Sequence, residues 1–284
     1  MNPVDHSMKQ LENEGVSESL ILKWKSLLGE LAVFPSAVIA YSGGVDSSFL
    51  TYAASHVLGK KMVAVTIVSP LDPPGVLKSA TDFAAKYGFK HETILYDPLQ
   101  NPDFYANPAN RCYYCKIDIL NHLWNYAGEF HYEVVLDGQN ADDQTDYRPG
   151  RMAVYETGTL SPLAKNGFTK AEIRLLSKAF GLSIWNQPSS PCLATRIPYG
   201  TVITAEVLDK VSNAENYLHE KGFEIVRVRY HHELARIEVE PDKFLKLLDI
   251  SEDLLNYFKQ IGFLYVALDL QGYRLGSMNE GLPL

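Results

Sequence analysis

The chain has only three cysteines in 284 residues, and two of them, Cys112 and Cys115, lie three positions apart. It has no apolar run long enough to span a bilayer, and its start, MNPVDHSMKQLENEG, lacks the basic and then apolar pattern of a secretory signal. We therefore expect a cytoplasmic protein with no membrane partner. In that reducing compartment a structural disulfide is disfavoured, so the cysteines indicate metal binding or thiol chemistry.

The chain also lacks an excess of basic residues, with a formal net charge of −8 and a pI of about 5.5. This balance disfavours the positive field typical of nucleic-acid-binding proteins, and we expect no nucleic-acid partner. With 46% hydrophobic residues, the chain can bury a substantial core.

Strand and helix patterns alternate along the first half of the chain, which predicts an α/β fold, a parallel sheet with helices on both faces. The predicted strands are SAVIAY at 36–41, MVAVTIV at 62–68, HETILY at 91–96 and YEVVLDG at 132–138, with helices near 20–31, 73–87 and 116–127. Thr169 and Glu172 form the sequence pattern of a capping box at the start of a further helix.

After about residue 200 the pattern changes to a small α+β unit. It comprises a helix at 205–221, paired strands at 223–230 and 234–240, a helix at 251–261 and a strand at 263–269, and His231 and His232 are expected at the hairpin tip. We therefore predict two domains, 1–200 and 201–284.

The strand AVIAY leads directly into SGGVDSS and then into a helix with an apolar stripe. Gly43 and Gly44 permit a backbone geometry in which amide groups converge on an anion. Asp46 fits an anion site only if a divalent cation such as Mg²⁺ bridges it to phosphates. Hydroxyl donors at the positive end of the helix come from Ser42, Ser47 and Ser48.

The chain contains neither a Walker pattern nor G-x-G-x-x-G, which argues against a P-loop NTPase or an ordinary dinucleotide fold. SGGVDSS after a strand resembles the PP-loop of the N-type ATP pyrophosphatases, whose fold is of the adenine nucleotide alpha hydrolase type. The resemblance implies that residues 1–200 bind ATP by its β- and γ-phosphates. It also implies that a substrate oxygen is adenylylated and pyrophosphate is released.

The segment LDGQNADDQTDYRPG follows another predicted strand and should emerge at the carboxyl edge of the sheet, where open α/β folds bind ligands. Asp137, Asp142 and Asp143 are candidates to contact nucleotide or Mg²⁺, and Gly138 is placed in the ATP site. The alternative is a solvated acidic turn.

The C-x-x-C pair is by itself compatible with half a zinc site, a redox pair, an iron–sulfur site or ordinary buried cysteines. A closed zinc site needs four ligands, and although His122 is near, no second C-x-x-C exists. With Cys192, three thiolates suit a 4Fe-4S cluster that keeps one iron open. All three cysteines are expected in loops.

In IVRVRY the residues alternate, so Arg227 and Arg229 share one face of a strand. Two guanidinium groups on one face can form a phosphate site. The alternative is a solvated face that pairs with Arg236, Glu238 and Glu240 of the next strand, where Glu238 and Glu240 could form cross-strand ion pairs.

Several segments resemble the LarE family of ATP-dependent sulfur transferases, from about residue 16 to the C-terminus. They are NPANRCYYCK, LDGQNADDQTDYRPG, SPLAKNGFTKAEIR, CLATRIPYGT, RVRYHHELARIEV and GYRLGS. The resemblance implies that ATP adenylylates a carboxylate of pyridinium-3,5-biscarboxylic acid mononucleotide. Sulfur then displaces AMP to give a thiocarboxylate, in nickel-pincer nucleotide biosynthesis.

The resemblance also implies site residues and partners. Cys112, Cys115 and Cys192 would be catalytic and bind a 4Fe-4S cluster that passes on a sulfide, with a sulfide donor as partner; the competing possibility is that Cys192 sacrifices its own sulfur. Residues 201–284 would bind substrate or form a homo-oligomer, a hexamer in the family. The resemblance implies that Arg227 and Arg229 bind the substrate phosphate and that Glu215 lies near the active site. Arg196, four residues after Cys192, is placed to bind the substrate carboxylate.

Two other functions remain open from the sequence. One is a tRNA thiolase, which is also built on a PP-loop but is disfavoured by the acidic pI. The other is an adenine-nucleotide sensor that binds ATP without chemistry.

Overall fold

The computed structural model describes residues 3–144, 150–274 and 277–279. Residues 145–149, which hold most of the DYRPG motif, and 275–276 of GYRLGS lie outside the described residues. The chain forms two compact units. The first is Met1–Ser69, Gly75–Tyr96 and Cys112–Ser190, and the second is Pro70–Pro74, Asp97–Arg111 and Pro191–Leu284. The domain boundary near residue 200 stays a prediction.

The first helix of the described residues, Pro3–Asn13, is not among the predicted elements. In chain order the helices are α1 (Pro3–Asn13), α2 (Glu18–Ala32), α3 (Val45–Leu58), α4 (Val76–Tyr87), α5 (Pro102–Tyr105), α6 (Arg111–Glu129), α7 (Gly150–Glu156), α8 (Pro162–Lys165), α9 (Lys170–Ala179), α10 (Ala205–Glu220), α11 (Phe244–Asp249) and α12 (Ser251–Gln260).

A four-stranded parallel sheet organises the first unit, in the order β3-β2-β1-β4. Its strands are β1 (Ala37–Ala40), β2 (Met62–Val68), β3 (His91–Leu95) and β4 (Val134–Leu136). Parallel strands direct their carboxyl ends to one edge, so the segments after β1 and β4, which are neighbours, emerge side by side. The predicted α/β class with a parallel sheet is confirmed.

Alternate residues of β1 face two apolar cores, which explains why this strand is hydrophobic throughout. Ile39 packs in a core with Trp24 of α2 and Phe49 of α3, whereas Val38 packs in a second core with Leu120 of α6. Helices therefore cover both faces of the sheet.

Local signals in the sequence place α9 correctly but misplace the start of α6. The Thr169 hydroxyl accepts from the Glu172 amide and the Glu172 carboxylate accepts from the Thr169 amide, which confirms the capping box. Helix α6 begins at Arg111, five residues before the predicted start. The prediction that all the cysteines lie in loops is therefore wrong for Cys112 and Cys115, which lie near the start of α6.

The second unit has a mixed three-stranded sheet in the order β5-β6-β7. Its strands are β5 (Val226–His231), β6 (Leu234–Val239) and β7 (Tyr265–Leu268), with β5 and β6 antiparallel and β6 and β7 parallel. His231 ends β5 opposite Leu234, and His232 begins the turn with a φ of 58°. The predicted α+β pattern is present, with α11 as an additional helix.

Candidate functional site

The SGGVDSS segment, residues 42–48, connects β1 to α3 and is called the phosphate bend below. Gly43 has a φ of 72°, a left-handed conformation that favours glycine, and a Cβ there would lie 2.9 Å from Ala80 Cβ. Gly44 is extended and caps α3, and the Ser42 and Ser47 hydroxyls lie 3.0 Å apart beside it. Because the first amides of a helix have no intrahelical acceptor, this bend can bind an anion.

Gly138 follows β4 and packs against the start of α3. A Cβ on Gly138 would lie 2.9 Å from both the amide nitrogen and the Cα of Ser47, and 3.2 Å from the Asp46 carbonyl carbon. Only glycine lets the backbone after β4 approach the phosphate bend this closely. Close packing against Ser47 therefore explains why glycine occupies position 138, beside the predicted ATP site.

Asp46 lies at the first turn of α3 and forms an ion pair with Lys170, the first residue of α9. Lys170 Nζ is 2.6 Å from Asp46 Oδ2. Burial raises the pKa of Asp46, the charge of Asp143 adds to the rise, and Lys170 partly offsets both. Asp46 Oδ1 is buried and has no hydrogen-bond partner in the described part of the chain. A buried carboxylate oxygen of this kind fits a hard cation.

The carboxylates of Asp142 and Asp143 accept hydrogen bonds from backbone amides. Asp143 Oδ2 accepts from the Asn140 amide at 3.0 Å, and Asp142 Oδ2 accepts from the Lys170 amide at 2.8 Å. Both carboxylates thereby hold the turn that brings α9 to the phosphate bend. Whether they also contact nucleotide or cation stays a prediction.

Asp137 is buried and forms an ion pair with a lysine of α6, Lys116, which no sequence motif had identified. Asp137 Oδ1 accepts from Ser161 Oγ at 2.6 Å, and its Oδ2 lies 3.2 Å from Lys116 Nζ. Lys116 directly follows the C-x-x-C pair, and Lys170 follows the capping Thr169. Each lysine therefore adjoins a recognisable motif in the sequence, but neither motif predicts that the lysine pairs with an aspartate.

The cysteines lie in both units. Cys112 is exposed and Cys115 half-buried, one helical turn apart in α6, so their side chains share one side of that helix. Cys192, also half-buried, precedes the short 3₁₀ helix Leu193–Arg196 in the second unit. All three are described and none forms a disulfide. Within the described ranges, no group of three or more His, Cys, Asp or Glu side chains is assembled as a metal site.

The arginines of β5 are buried, so the solvated-face alternative is wrong. Arg227 is 8% exposed and Arg229 is 5% exposed. Arg229 Nη2 lies 2.6 Å from Glu238 Oε2, which is the predicted pairing with the next strand, whereas Glu240 falls after the end of β6. The Arg227 guanidinium lies 5.3 Å from the Tyr273 ring centroid.

Repulsion between positive charges acts on Arg227, whereas Arg229 forms an ion pair with Glu238. The pKa of Arg227 is lowered, first by burial and then by the nearby charge of Arg196, with Glu215 opposing. Bringing a negatively charged group to this face would relieve that repulsion. The geometry is compatible with the predicted phosphate role of Arg227 and Arg229, which stays a prediction.

Arg196 and Glu215, predicted beside the substrate, bind each other. Arg196 Nε and Nη2 donate to the two Glu215 carboxylate oxygens at 2.9 and 2.8 Å. Arg196 is 1% exposed and Glu215 is 4% exposed. Sequence spacing gave no sign of this pairing.

Comparison with known proteins decides the family. The chain is 43% identical to an uncharacterized protein of Synechocystis sp. over 93% of this chain and 98% of that protein. It is 34% identical to the pyridinium-3,5-bisthiocarboxylic acid mononucleotide synthase of Lactiplantibacillus plantarum, over 93% of this chain and 96% of the synthase. The chain belongs to the LarE family.

Membership of the LarE family makes the chain an ATP-dependent enzyme. The chain is also 28% identical to the ammonia-dependent NAD⁺ synthetase of Staphylothermus marinus, over 62% of this chain and 66% of that synthetase, which fits the α/β fold of the first unit. No protein-family model matches the chain. Among the helices that the structure describes, none combines the length and apolar character needed to cross a membrane.

Proposed function

We propose that this LarE-family protein is an ATP-dependent sulfur transferase that acts on pyridinium-3,5-biscarboxylic acid mononucleotide. A substrate carboxylate oxygen attacks the α-phosphorus of ATP, the bond between the α-phosphorus and the bridging oxygen breaks, and pyrophosphate leaves. A hydrosulfide then attacks the carbonyl carbon of the acyl adenylate, and AMP leaves. The product is a thiocarboxylate of the nickel-pincer nucleotide pathway.

One observation carries the proposal, the 34% identity to the Lactiplantibacillus plantarum synthase over 93% of this chain. The geometry of the first unit supports it. The glycine bend at Gly43, the start of α3 and the Asp46–Lys170 pair lie together at the carboxyl edge of the parallel sheet, where α/β enzymes bind their ligands.

The phosphate bend would bind the terminal phosphates of ATP. Amides at the start of α3 and the hydroxyls of Ser42 and Ser47 would donate to phosphate oxygens, which leaves the α-phosphorus accessible to the substrate. Ser48, the third predicted hydroxyl donor, is fully buried and does not face the phosphates. Asp46 would bind Mg²⁺ through its buried Oδ1, and that ion would neutralise phosphate charge. Lys170 favours the charged form of the Asp46 carboxyl, the form that a cation requires.

Arg227 and Arg229 would bind the substrate phosphate. Both lie on one face of β5 and both are buried, so a phosphate there would interact with them in a medium of low dielectric constant. Arg196 and Glu215 belong to the same unit and adjoin this strand through the Val228 amide, which donates to Glu215 Oε1 at 2.9 Å.

Cys112, Cys115 and Cys192 would bind a 4Fe-4S cluster. Three thiols fit the donor chemistry of such a cluster, and two of them are already one turn apart on α6. When bound, the cluster would supply the transferable sulfide. The protein itself would bind both reactants, orient the carboxylate toward the α-phosphorus and exclude water from the acyl adenylate.

The activity is tested by incubating the full chain anaerobically with ATP, Mg²⁺, the biscarboxylate mononucleotide and sulfide. We expect AMP and pyrophosphate in equal amounts with the thiocarboxylate. ATP binding without AMP or pyrophosphate would contradict the proposal and favour a nucleotide sensor, and binding of tRNA with a steep salt dependence would favour a tRNA thiolase.

A turnover count distinguishes the two sulfur sources. After reconstitution with iron and sulfide, transfer of more than one sulfur per chain supports the cluster, and the Cys112→Ser variant should then lose turnover. A single transfer that leaves Cys192 lighter by about 34 Da, the mass of H₂S, supports sacrifice of Cys192.

A further inference from the structure

We propose that Arg196 is a positioning residue, which fixes the backbone that carries Cys192 and does not bind the substrate carboxylate. The role rests on the proposed sulfur-transfer function, but the contacts that support it all lie within the second unit. Arg196, Cys192 and Glu215 all belong to that unit.

The guanidinium of Arg196 is occupied on both of its sides. Nε and Nη2 donate to the two oxygens of Glu215, the fork geometry that a substrate carboxylate would otherwise require. Nη1 donates to the carbonyl oxygens of Pro191 at 2.6 Å and Cys192 at 3.0 Å. A guanidinium has five N–H donors, so the protein already engages four, on a side chain that is 1% exposed.

Glu215 in turn is anchored to the arginine-bearing strand. Its Oε1 accepts from the Val228 amide at 2.9 Å, between Arg227 and Arg229 in the sequence. The connection therefore runs from the β5 backbone, through a carboxylate on α10 and the Arg196 guanidinium, to the carbonyl of Cys192. Charge-assisted bonds in a buried environment hold such a connection in one geometry.

Two further contacts fix the same short segment. Arg229 Nη1 donates to the Thr195 carbonyl at 3.1 Å, and the Leu193 amide donates to the Leu71 carbonyl at 2.8 Å. The strand predicted to bind the substrate phosphate thus also restrains the segment that presents the thiol. A sulfur-transfer step needs this restraint, because the rate depends steeply on the position of the reacting group.

The test measures the reactivity of Cys192 directly, in the cluster-free full chain without nucleotide or substrate. Iodoacetamide alkylation is followed by peptide mass spectrometry for the wild type and for Arg196→Met, Arg196→Lys and Glu215→Gln. Cys112 and Cys115, which lie in the other unit, serve as internal references in every sample. Lys210→Met is the control, because Lys210 forms an ion pair with Glu206 on α10, the helix that carries Glu215.

Releasing the segment should raise the Cys192 alkylation rate by about tenfold in Arg196→Met and by less in Glu215→Gln, because local opening becomes easier. Arg196→Lys can still donate to the carbonyls and should restore most of the protection. Alkylation of Cys112 and Cys115, and of Cys192 in Lys210→Met, should stay at the wild-type rate. Circular dichroism establishes folding; if Arg196→Met does not fold, Glu215→Gln and Arg196→Lys decide the outcome.

Unchanged Cys192 alkylation in folded Arg196→Met or Glu215→Gln would overturn the positioning role. In the sulfur-transfer assay, positioning predicts a lower kcat with little change in KM for the substrate in Glu215→Gln, whereas substrate binding predicts a higher KM. A chain that shows the altered alkylation but never releases AMP would retain the positioning role and refute the proposed function, so the two failures are distinguishable.

Discussion

Adding one methyl group at Gly138 should weaken ATP binding without touching any side chain of the phosphate bend. In Gly138→Ala the new Cβ would lie 2.9 Å from the Ser47 amide nitrogen and Cα, about 0.5 Å inside the 3.4 Å at which ordinary contact begins. The obstructing atoms are backbone, so relief requires α3 to move away from the strand end.

The cost of such overpacking is about 1–3 kcal/mol. Part of it should appear as a lower free energy of unfolding. The remainder should appear when ATP binds, because the displaced amides must return to reach the phosphates, and each 1.4 kcal/mol spent there weakens binding about tenfold.

Titration calorimetry with ATP and Mg²⁺, together with urea unfolding, measures the two parts. Gly29→Ala is the control: Gly29 lies within α2, a Cβ there meets nothing within 4 Å, and the change should stabilise the protein by about 0.5–1 kcal/mol. If Gly138→Ala binds ATP and unfolds like the wild type, the inferred close approach to the phosphate bend is refuted.

Asp46→Asn should abolish AMP release but leave the free energy of unfolding at neutral pH equal or higher. Burial raises the pKa of Asp46 above 3.8, so the folded state loses stability as the pH rises from 3.8 through the raised pKa and the carboxyl becomes charged. A large loss of stability in Asp46→Asn would contradict this. Arg196→Met should lower the free energy of unfolding by about 3–5 kcal/mol, since Glu215 would be left as a buried charge, and urea titration checks it. Burial holds the pKa values of His56 and His231 below 6.5, so stability should fall as pH decreases from 6.5 through those values. Replacing both histidines with Gln should flatten that slope in unfolding measured against pH.

The sequence determines the phosphate bend because its signals are local. A buried strand, two glycines and a helix with an apolar stripe follow one another without interruption, and only glycine adopts the φ of 72° at position 43 easily. The capping box at Thr169 is local in the same way, since both of its partners lie within three residues. The alternation in β5 correctly placed Arg227 and Arg229 on one face for the same reason.

Sequence patterns failed to predict features that depend on what packs against a segment. Helix α6 includes Arg111 and the cysteine pair, although the preceding polar residues predicted a loop. The Arg111 guanidinium lies 4.3 Å from the Tyr199 ring centroid and donates to Asn107, whose side chain donates to the carbonyls of Pro198 and Thr201. Contacts distant in the sequence therefore anchor the start of this helix. Burial of the β5 arginines likewise follows from partners on other strands and loops.

Only the tertiary structure decided which charged groups meet. Lys170 reaches Asp46 across 124 positions of the sequence, and Arg196 takes Glu215 as its partner instead of a substrate group. Spacing along the chain fixes the face on which a side chain lies, but the partner of a buried charge is chosen by the packing of separate elements, because desolvation makes any other arrangement costly. The need for glycine at position 138 also depends on tertiary structure, because the backbone that Gly138 approaches belongs to another element, α3.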